Sequence, residues 1–367
     1  MNTSSRLATS VGILIALSSV NAQVTLSPLV GFGGADGWLA PGEGGYTYLG
    51  TGNNERGLAF GNNHLYLVSR NGGNNVRILD KLTGADLGGL NVTGITGGTF
   101  GVNTVAVGGD GVIYVNNLTT QSTTSPLKVY SWATEGSIPT VAYSGNAGLA
   151  GSRVGDSLTA IGSGPSTRLA LGFGSTPAVA GNNGYTLLDP TAGTATAVGF
   201  TGTPPNAGDF RLGITFSDTS HVIGTQGSSL YRYTSFAGST GTLLGSPAIP
   251  DPVGATADRL LAYAVVGGVP LLAVQSIGDS HVSIYDVTDP NTPVWLTSGN
   301  NTTSPAVNGN ATGQLAWGDI SGNTANLWAM SSNQGIQAFI LVVPEPSTAV
   351  LAGLGLGALF GLRRNRR

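Results

Sequence analysis

The sequence predicts an all-β protein: a six-bladed β-propeller with an N-terminal strand closing the last blade, flanked by a signal peptide and a C-terminal hydrophobic helix. Three observations lead there. The 59 glycines alternate with runs of Val, Leu, Ile, Tyr and Thr and show no three-residue period, so they mark turns between strands and not a collagen-like rod. A five-residue strand signature recurs six times at a blade-like interval. Each signature follows a further pair of strand-like runs, which makes four strands per unit.

The six signatures begin at Val76, Leu127, Tyr185, Leu230, Val282 and Ile336, and the first five are VRILD, LKVYS, YTLLD, LYRYT and VSIYD. Their starts lie roughly fifty residues apart, the length of a propeller blade. The runs before them include Gly57 to Phe60 with His64 to Val68, and Thr104 to Val107 with Val112 to Val115. Leu212 to Phe216 with His221 to Gly224, and Leu260 to Val265 with Leu271 to Val274, repeat the layout. A β-sandwich predicts no such repeat, and a β-helix predicts one about half as long. The sixth unit has three strands before Val343, so the early strand Val24 to Val30 is expected to supply the fourth and remove an exposed edge. Pro28 suits an outermost strand, where no N–H is needed.

Within these repeats, VSIYDVTDPNTPV from Val282 to Val294 resembles the repeat unit of LVIVD-type propellers. VRILDKLTG from Val76 and YTLLDPTAG from Tyr185 are similar to turn motifs of quinoprotein-like propellers. These resemblances imply a fold and transfer no catalytic residue.

The ends carry their own signals. Arg6 precedes the apolar run Val11 to Ala16, and small or modest residues at Val20 and Ala22 fit signal peptidase, which places cleavage after Ala22 and the mature start at Gln23. The propeller domain is expected over 23–342. At the other end stand Val343, Pro344, Glu345 and Pro346, then an uncharged stretch from Thr348 to Leu362, then Arg363, Arg364, Arg366 and Arg367. This order over 343–367 resembles the PEP-CTERM sorting signal. The resemblance implies that an exosortase recognises the Pro-Glu-Pro, cuts nearby, and releases the protein or transfers it to the envelope. The arginines serve as the membrane stop, staying cytoplasmic while the domain crosses. Fifteen residues at ~1.5 Å rise give ~22 Å of helix, short of a ~30 Å hydrocarbon core, so the tail is a weak, temporary anchor in the inner membrane.

Composition excludes several functions. Charged residues are 9% of the chain and the net charge is -3, with Lys81 and Lys128 as the only lysines, so no basic stripe exists to neutralise a phosphate backbone. Nucleic acid is therefore not an expected partner. With no cysteine, disulfides, thiolate zinc sites and thiol catalysis are all absent.

Candidate chemistry is sparse. Asp80, Asp189 and Asp286 share one place after the third strand, with Asp289 following. They read as caps of tight turns; the alternative is a calcium or ligand ring. The histidines His64, His221 and His281 form no HExxH pair, and a metal site needs their loops to converge on the axis. No Gly-x-Ser-x-Gly occurs. Glu43, Glu55 and Glu135 are the only glutamates outside the tail, a thin supply for a glycan-cleaving acid pair. No catalytic residue, metal ligand or cofactor is therefore assigned.

The expectation is an exported, exosortase-processed surface or matrix protein, non-catalytic, binding extracellular polysaccharide or another surface protein. The alternative is a secreted glycan lyase or hydrolase. Acids, histidines or arginines clustered at one mouth of the ring favour catalysis, and a Ser, Thr and Gly lining favours binding.

Overall fold

The computed structural model describes residues 23–147, 151–174, 184–200, 208–225, 231–250 and 258–345, and its fold lies within Val24–Val343. In chain order, β1 (Thr25–Pro28) and β2 (Trp38–Leu39) precede a first sheet of β3 (Glu55–Gly61), β4 (His64–Ser69), β5 (Asn75–Asp80) and β6 (Asp86–Gly89). The second comprises β7 (Phe100–Val107), β8 (Ile113–Leu118), β9 (Leu127–Trp132) and β10 (Thr140–Gly145). Then come β11 (Arg153–Val154), β12 (Thr159–Ile161), β13 (Arg168–Gly174), β14 (Tyr185–Asp189) and β15 (Thr194–Phe200). They are followed by β16 (Gly213–Asp218), β17 (His221–Thr225), β18 (Arg232–Ala237) and β19 (Thr240–Gly245). The last two groups are β20 (Asp258–Val266), β21 (Val269–Ser276), β22 (Val282–Asp286) and β23 (Val294–Gly299), and β24 (Gly313–Ser321), β25 (Thr324–Ser331) and β26 (Ile336–Val342).

Within each group consecutive strands pair antiparallel, save that β11 and β12 both pair with β13 and not with each other, because Gly, Asn and Asp at the turns allow short hairpins between apolar runs. The arrangement is propeller-like, and it corrects the expected blade number. Four blades stand as separate sheets: β3–β6, β7–β10, β20–β23, and β24–β26 completed by β1 and β2. The repeats expected as the third and fourth units do not stand apart. They merge, from β11 to β19, into one nine-stranded sheet. The cause is a short parallel pairing of β15 with β19, Gly199 with Thr240 and Phe200 with Gly241, which carries hydrogen bonds across a boundary the sequence reads as a gap. Gly241 permits it, since a Cβ there would stand 2.8 Å from the Phe200 ring.

The last blade joins both ends of the fold. β1 pairs antiparallel with β26 from Thr25–Val342 to Pro28–Phe339, on the edge left open by β24 and β25. The hydrophobic helix expected after Val343 lies outside the described residues.

Apolar packing fills the spaces between neighbouring sheets. Tyr66, Val68 and Val76 of the first blade meet Val105, Val115 and Trp132 of the second. Trp328, Met330 and Ile336 of the last blade meet Leu58, Leu65 and Leu67 of the first. The two arms of the nine-stranded sheet face each other across Tyr185 and Phe210, whose rings meet edge-on at 5.0 Å. Two of the five tryptophans fill these spaces: Trp132 and Trp328 are fully buried, and the Trp328 ring stacks on Phe60 at 5.0 Å.

Six inner strands, β3, β7, β12, β16, β20 and β24, line the axis. Gln314 of β24 is partly exposed there and reaches across it. Its amide nitrogen donates to the carbonyls of Val105 and Leu158 at 3.0 and 2.9 Å, and its amide oxygen accepts from the N–H groups of Leu58 and Val105 at 3.1 and 3.0 Å. Four free-edge backbone groups, on β3, on β7 and on the residue just before β12, are therefore satisfied by one side chain. A Gln314→Met protein, isosteric but without the amide, should lose about 3 kcal/mol in denaturant unfolding, since several backbone groups lose their partners at ~1 kcal/mol or more each.

Candidate functional site

The inner strands all run in one sense, so residues at their starts gather at one mouth of the axis. Arg56 near the start of β3, Arg211 just before β16 and Arg259 near the start of β20 converge there, with Asp156 in the turn between β11 and β12. Two of these arginines sit at irregularities of the ladder. The register of β3 against β4 shifts between Glu55 and Gly57, and that of β20 against β21 between Asp258 and Leu260, so Arg56 and Arg259 are each the unpaired residue of a bulge. Bulges re-aim side chains that a regular strand would point elsewhere.

Asp156 is the centre of the cluster and is completely buried. Arg153 donates to it twice, Nε to Oδ2 at 2.6 Å and Nη2 to Oδ1 at 2.8 Å. Arg211 Nη1 donates to Oδ2 at 3.0 Å, and Arg56 Nη2 stands 3.5 Å from Oδ1. Gly155 makes the position possible: its φ of +107° is a backbone conformation open to glycine, and a Cβ would meet the Asn117 carbonyl at 2.2 Å. Its own carbonyl accepts from Asn103 Nδ2 at 2.6 Å, and Asn103 Oδ1 in turn accepts from Arg56 Nε at 3.0 Å. Burial alone would raise the Asp156 carboxyl; the Arg153 hydrogen bonds and the charges of Arg153, Arg211 and Arg56 outweigh it and hold the group below the ordinary carboxylate range.

The surrounding cations exceed the anions. Arg56 is buried and pulled down to about 10, by desolvation first and then by the neighbouring Arg70, Arg153 and Arg211 against the help of Asp156. Arg70 donates from Nη2 to the Asn53 carbonyl at 2.8 Å, and its guanidinium lies 3.5 Å over the Phe100 ring. Glu55, also buried, accepts from the Gly50 N–H, and desolvation raises its pKa. Nη1 of Arg56, Nε and Nη1 of Arg70 and Nε of Arg259 are buried without a hydrogen-bond partner among the described residues.

Further along the axis, a cavity of about 340 Å³ lies on the side of Phe60, Val107, Ile161, Tyr263 and Trp317, and a smaller one of about 60 Å³ lies near Ser157, Leu212 and Leu260. Gln314 borders both. Most of their lining residues are apolar, but the surface they turn to the cavities is more polar than apolar, with Thr159 and Thr215 as hydroxyl contributors to each.

The residues singled out in the sequence are scattered. Asp80, Asp189, Asp286 and Asp289 cap their turns: Asp80 Oδ1 accepts from the N–H groups of Leu82 and Thr83, Asp189 from Thr191 and Ala192, Asp286 from Thr288, and Asp289 from Asn291. His64 meets Glu135 at 2.7 Å, and His221 meets Asp218 at 2.8 Å, so these two histidines each have a local acidic partner. Among the described residues no three histidine or acidic side chains are placed to hold a metal. Glu43 accepts from the Ala40 N–H at 2.8 Å. The arginine–Asp156 cluster was missed in the sequence, although a signal was present: in a chain so poor in charge, arginine recurs where a unit's first strand begins, as ERGLAF, FRLGITF and DRLLAYA.

Of the tail residues, Val343 is buried and donates its N–H to the Asn323 carbonyl at 2.8 Å, Pro344 is half-buried and Glu345 exposed. Pro346, Arg363, Arg364, Arg366 and Arg367 lie outside the described residues. Residues 342–367 match the family described as the PEP-CTERM protein-sorting motif. The chain carries a PEP-CTERM sorting signal. That signal implies an exported protein, anchored in the membrane before an exosortase processes it and found at the envelope surface afterwards. Among the described residues no helix is long and apolar enough to cross a membrane.

Residues 43–171 match a domain of unknown function, DUF4623. A crystal structure of a DUF4623 family protein from Bacteroides eggerthii superposes with a TM-score of 0.59 at 18% identity, covering 80% of this chain and 72% of that one, which shows a shared fold. Looser likenesses are the Malassezia sympodialis allergen Mala s 1, at TM-score 0.49, 11% identity and coverage of 78% and 91%, and the WD40 propeller domain of Doa1, at 0.47, 12%, 81% and 95%. No curated protein matches the PEP-CTERM chain.

An Asp156→Asn protein should be destabilised by ~3–5 kcal/mol at neutral pH, because three guanidiniums lose their carboxylate. The wild-type contribution has a defined sign: with the folded pKa depressed, it is present above the ordinary carboxylate pKa of 3.8 and is lost as pH falls through the lower folded value. Urea unfolding from pH 7 down to pH 2 should show that acid-dependent loss in the wild type and not in the variant.

Proposed function

We propose that this protein is a non-catalytic binding module of the bacterial envelope, presented after its tail is processed. The leader 1–22 is removed after Ala22 by signal peptidase, the domain 23–342 folds outside the inner membrane, and the tail 343–367 holds it there until an exosortase acts at Pro344, Glu345 and Pro346. In this reading the segment Thr348 to Leu362 is the temporary membrane helix, and Arg363, Arg364, Arg366 and Arg367 are its cytoplasmic stop. The domain then binds extracellular polysaccharide or another surface protein. The observation that carries the reading is the sorting-motif match at 342–367, which starts where β26 ends and thus joins the signal directly to the fold.

One feature favours a second reading. The arginines and acids at one mouth are the pattern expected of a glycan lyase or hydrolase. Against it, Asp156 is fully buried, depressed and engaged by three arginines, so it has no proton to give, and His64 and His221 are taken up by local partners. Binding uses the arginines as they stand; catalysis needs an accessible acid or base beside them.

The test is cell fractionation with an antibody to the domain, in exosortase-positive and exosortase-negative cells. Wild type should appear shortened by about the length of its tail and outside the inner membrane. Glu345→Ala, or loss of the exosortase, should leave the intact chain in the membrane fraction. Intact tail in normal cells overturns the processing step, and turnover of a panel of glycans by the purified protein overturns the non-catalytic one.

A further inference from the structure

We propose that the arginine-lined mouth is an oxyanion-binding site, taking the carboxylate of an acidic sugar or an inorganic oxyanion of the same charge. The inference rests on the binding reading above and names the ligand chemistry of its mouth.

Among the described side chains, five guanidiniums, of Arg56, Arg70, Arg153, Arg211 and Arg259, gather with two carboxylates, Asp156 and Glu55. In a chain with net charge -3, this leaves a local surplus of positive charge in partly dehydrated surroundings. Unneutralised charge at such a place is costly, and a bound anion relieves it. Hydrogen-bonding capacity is also left unused. The Arg56 side chain is 3% exposed, yet its Nη1 has no partner among the described residues, and Nε and Nη1 of Arg70 and Nε of Arg259 share that condition. Guanidinium N–H groups left over in this way match the paired oxygens of a carboxylate or phosphate. Arg56 and Arg259 both occupy bulges on inner strands, a local departure from regular pairing of the kind that re-aims a side chain. Asp156 fixes Arg56, Arg153 and Arg211 in place, so those donors are pre-positioned and the site loses little side-chain freedom on binding.

The alternative use of these arginines is purely structural, as counter-ions of Asp156. That accounts for three of them. Neither Arg70 nor Arg259 donates to Asp156: Arg70 donates to the Asn53 carbonyl and lies over Phe100 yet keeps Nε and Nη1 unused, and the buried Nε of Arg259 has no partner among the described residues.

The full-length chain in neutral detergent micelles is titrated by calorimetry with digalacturonate, with sodium phosphate, and with maltose as an uncharged sugar. Saturable binding of at least one anion is expected, weakening steeply with added salt and absent for maltose. Arg259→Met and Arg70→Met should each weaken it roughly tenfold. Arg168→Met, which removes the partner of Asp189 away from the mouth, should leave it unchanged. Thermal melts of the variants establish that each is folded; a variant that does not fold is replaced by its lysine counterpart, which should retain part of the affinity. Tighter binding of digalacturonate assigns the site to acidic glycan, and tighter binding of phosphate assigns it to the free inorganic ion. If neither anion binds, or if binding survives both methionine substitutions, the proposal is wrong. Binding of maltose with silence for both anions would sink this proposal and leave the module's glycan-binding role standing.

Discussion

A carboxylate shut away from water sets the geometry of this ring at one end. Asp156 can stay ionised only because Arg153, Arg211 and Arg56 surround it, and those guanidiniums come from the starts of three separate strands or turns. The requirement runs both ways. Without Asp156 the arginines would repel one another; without the arginines the acid would protonate. The backbone holding Asp156 is constrained in turn, because Gly155 adopts a positive φ against the Asn117 carbonyl and its own carbonyl accepts from Asn103, itself the acceptor of an Arg56 hydrogen bond. One polar network thus ties the first blade, the second blade and the nine-stranded sheet together, where apolar packing alone would allow them to slide.

Deeper on the axis the constraint is hydrogen bonding. Inner strands of a ring have no neighbour within the sheet on their axial side, so their backbone groups need other partners. Gln314 answers this for β3, β7 and the residue just before β12 with one amide. The same pressure explains how β15 and β19 come together at the periphery: two exposed edges, with glycine at the contact, pair with each other and erase the boundary between two sequence repeats.

Much of the fold was legible. Alternating apolar residues and glycine-rich turns located β3, β4, β7, β8, β16, β17, β20 and β21 closely, and the aspartates after the third strands were correctly read as turn caps. Blade number was not legible, because a two-residue parallel bridge leaves no periodic trace: Gly199 and Gly241 look like any other turn glycines. The sorting signal was fully legible, being a contiguous pattern. The arginine mouth was hidden for a different reason. Its members are spread from Arg56 to Arg259 and become neighbours only through ring closure, and the bulges that aim two of them depend on pairing register, which sequence does not display.

Pairing of Thr25 with Val342 means that the second strand partner of β26 comes from the opposite end of the chain. Bringing them together is the last loop to close, and its entropic cost grows only slowly with length. The more telling consequence is one of timing. With the chain threaded outward N-terminus first, as proposed, this sheet cannot be completed until Val342 emerges, just ahead of the Pro-Glu-Pro. Maturation of the tail and completion of the ring are therefore adjacent events, and a protease arriving early would meet a substrate still missing its final seam.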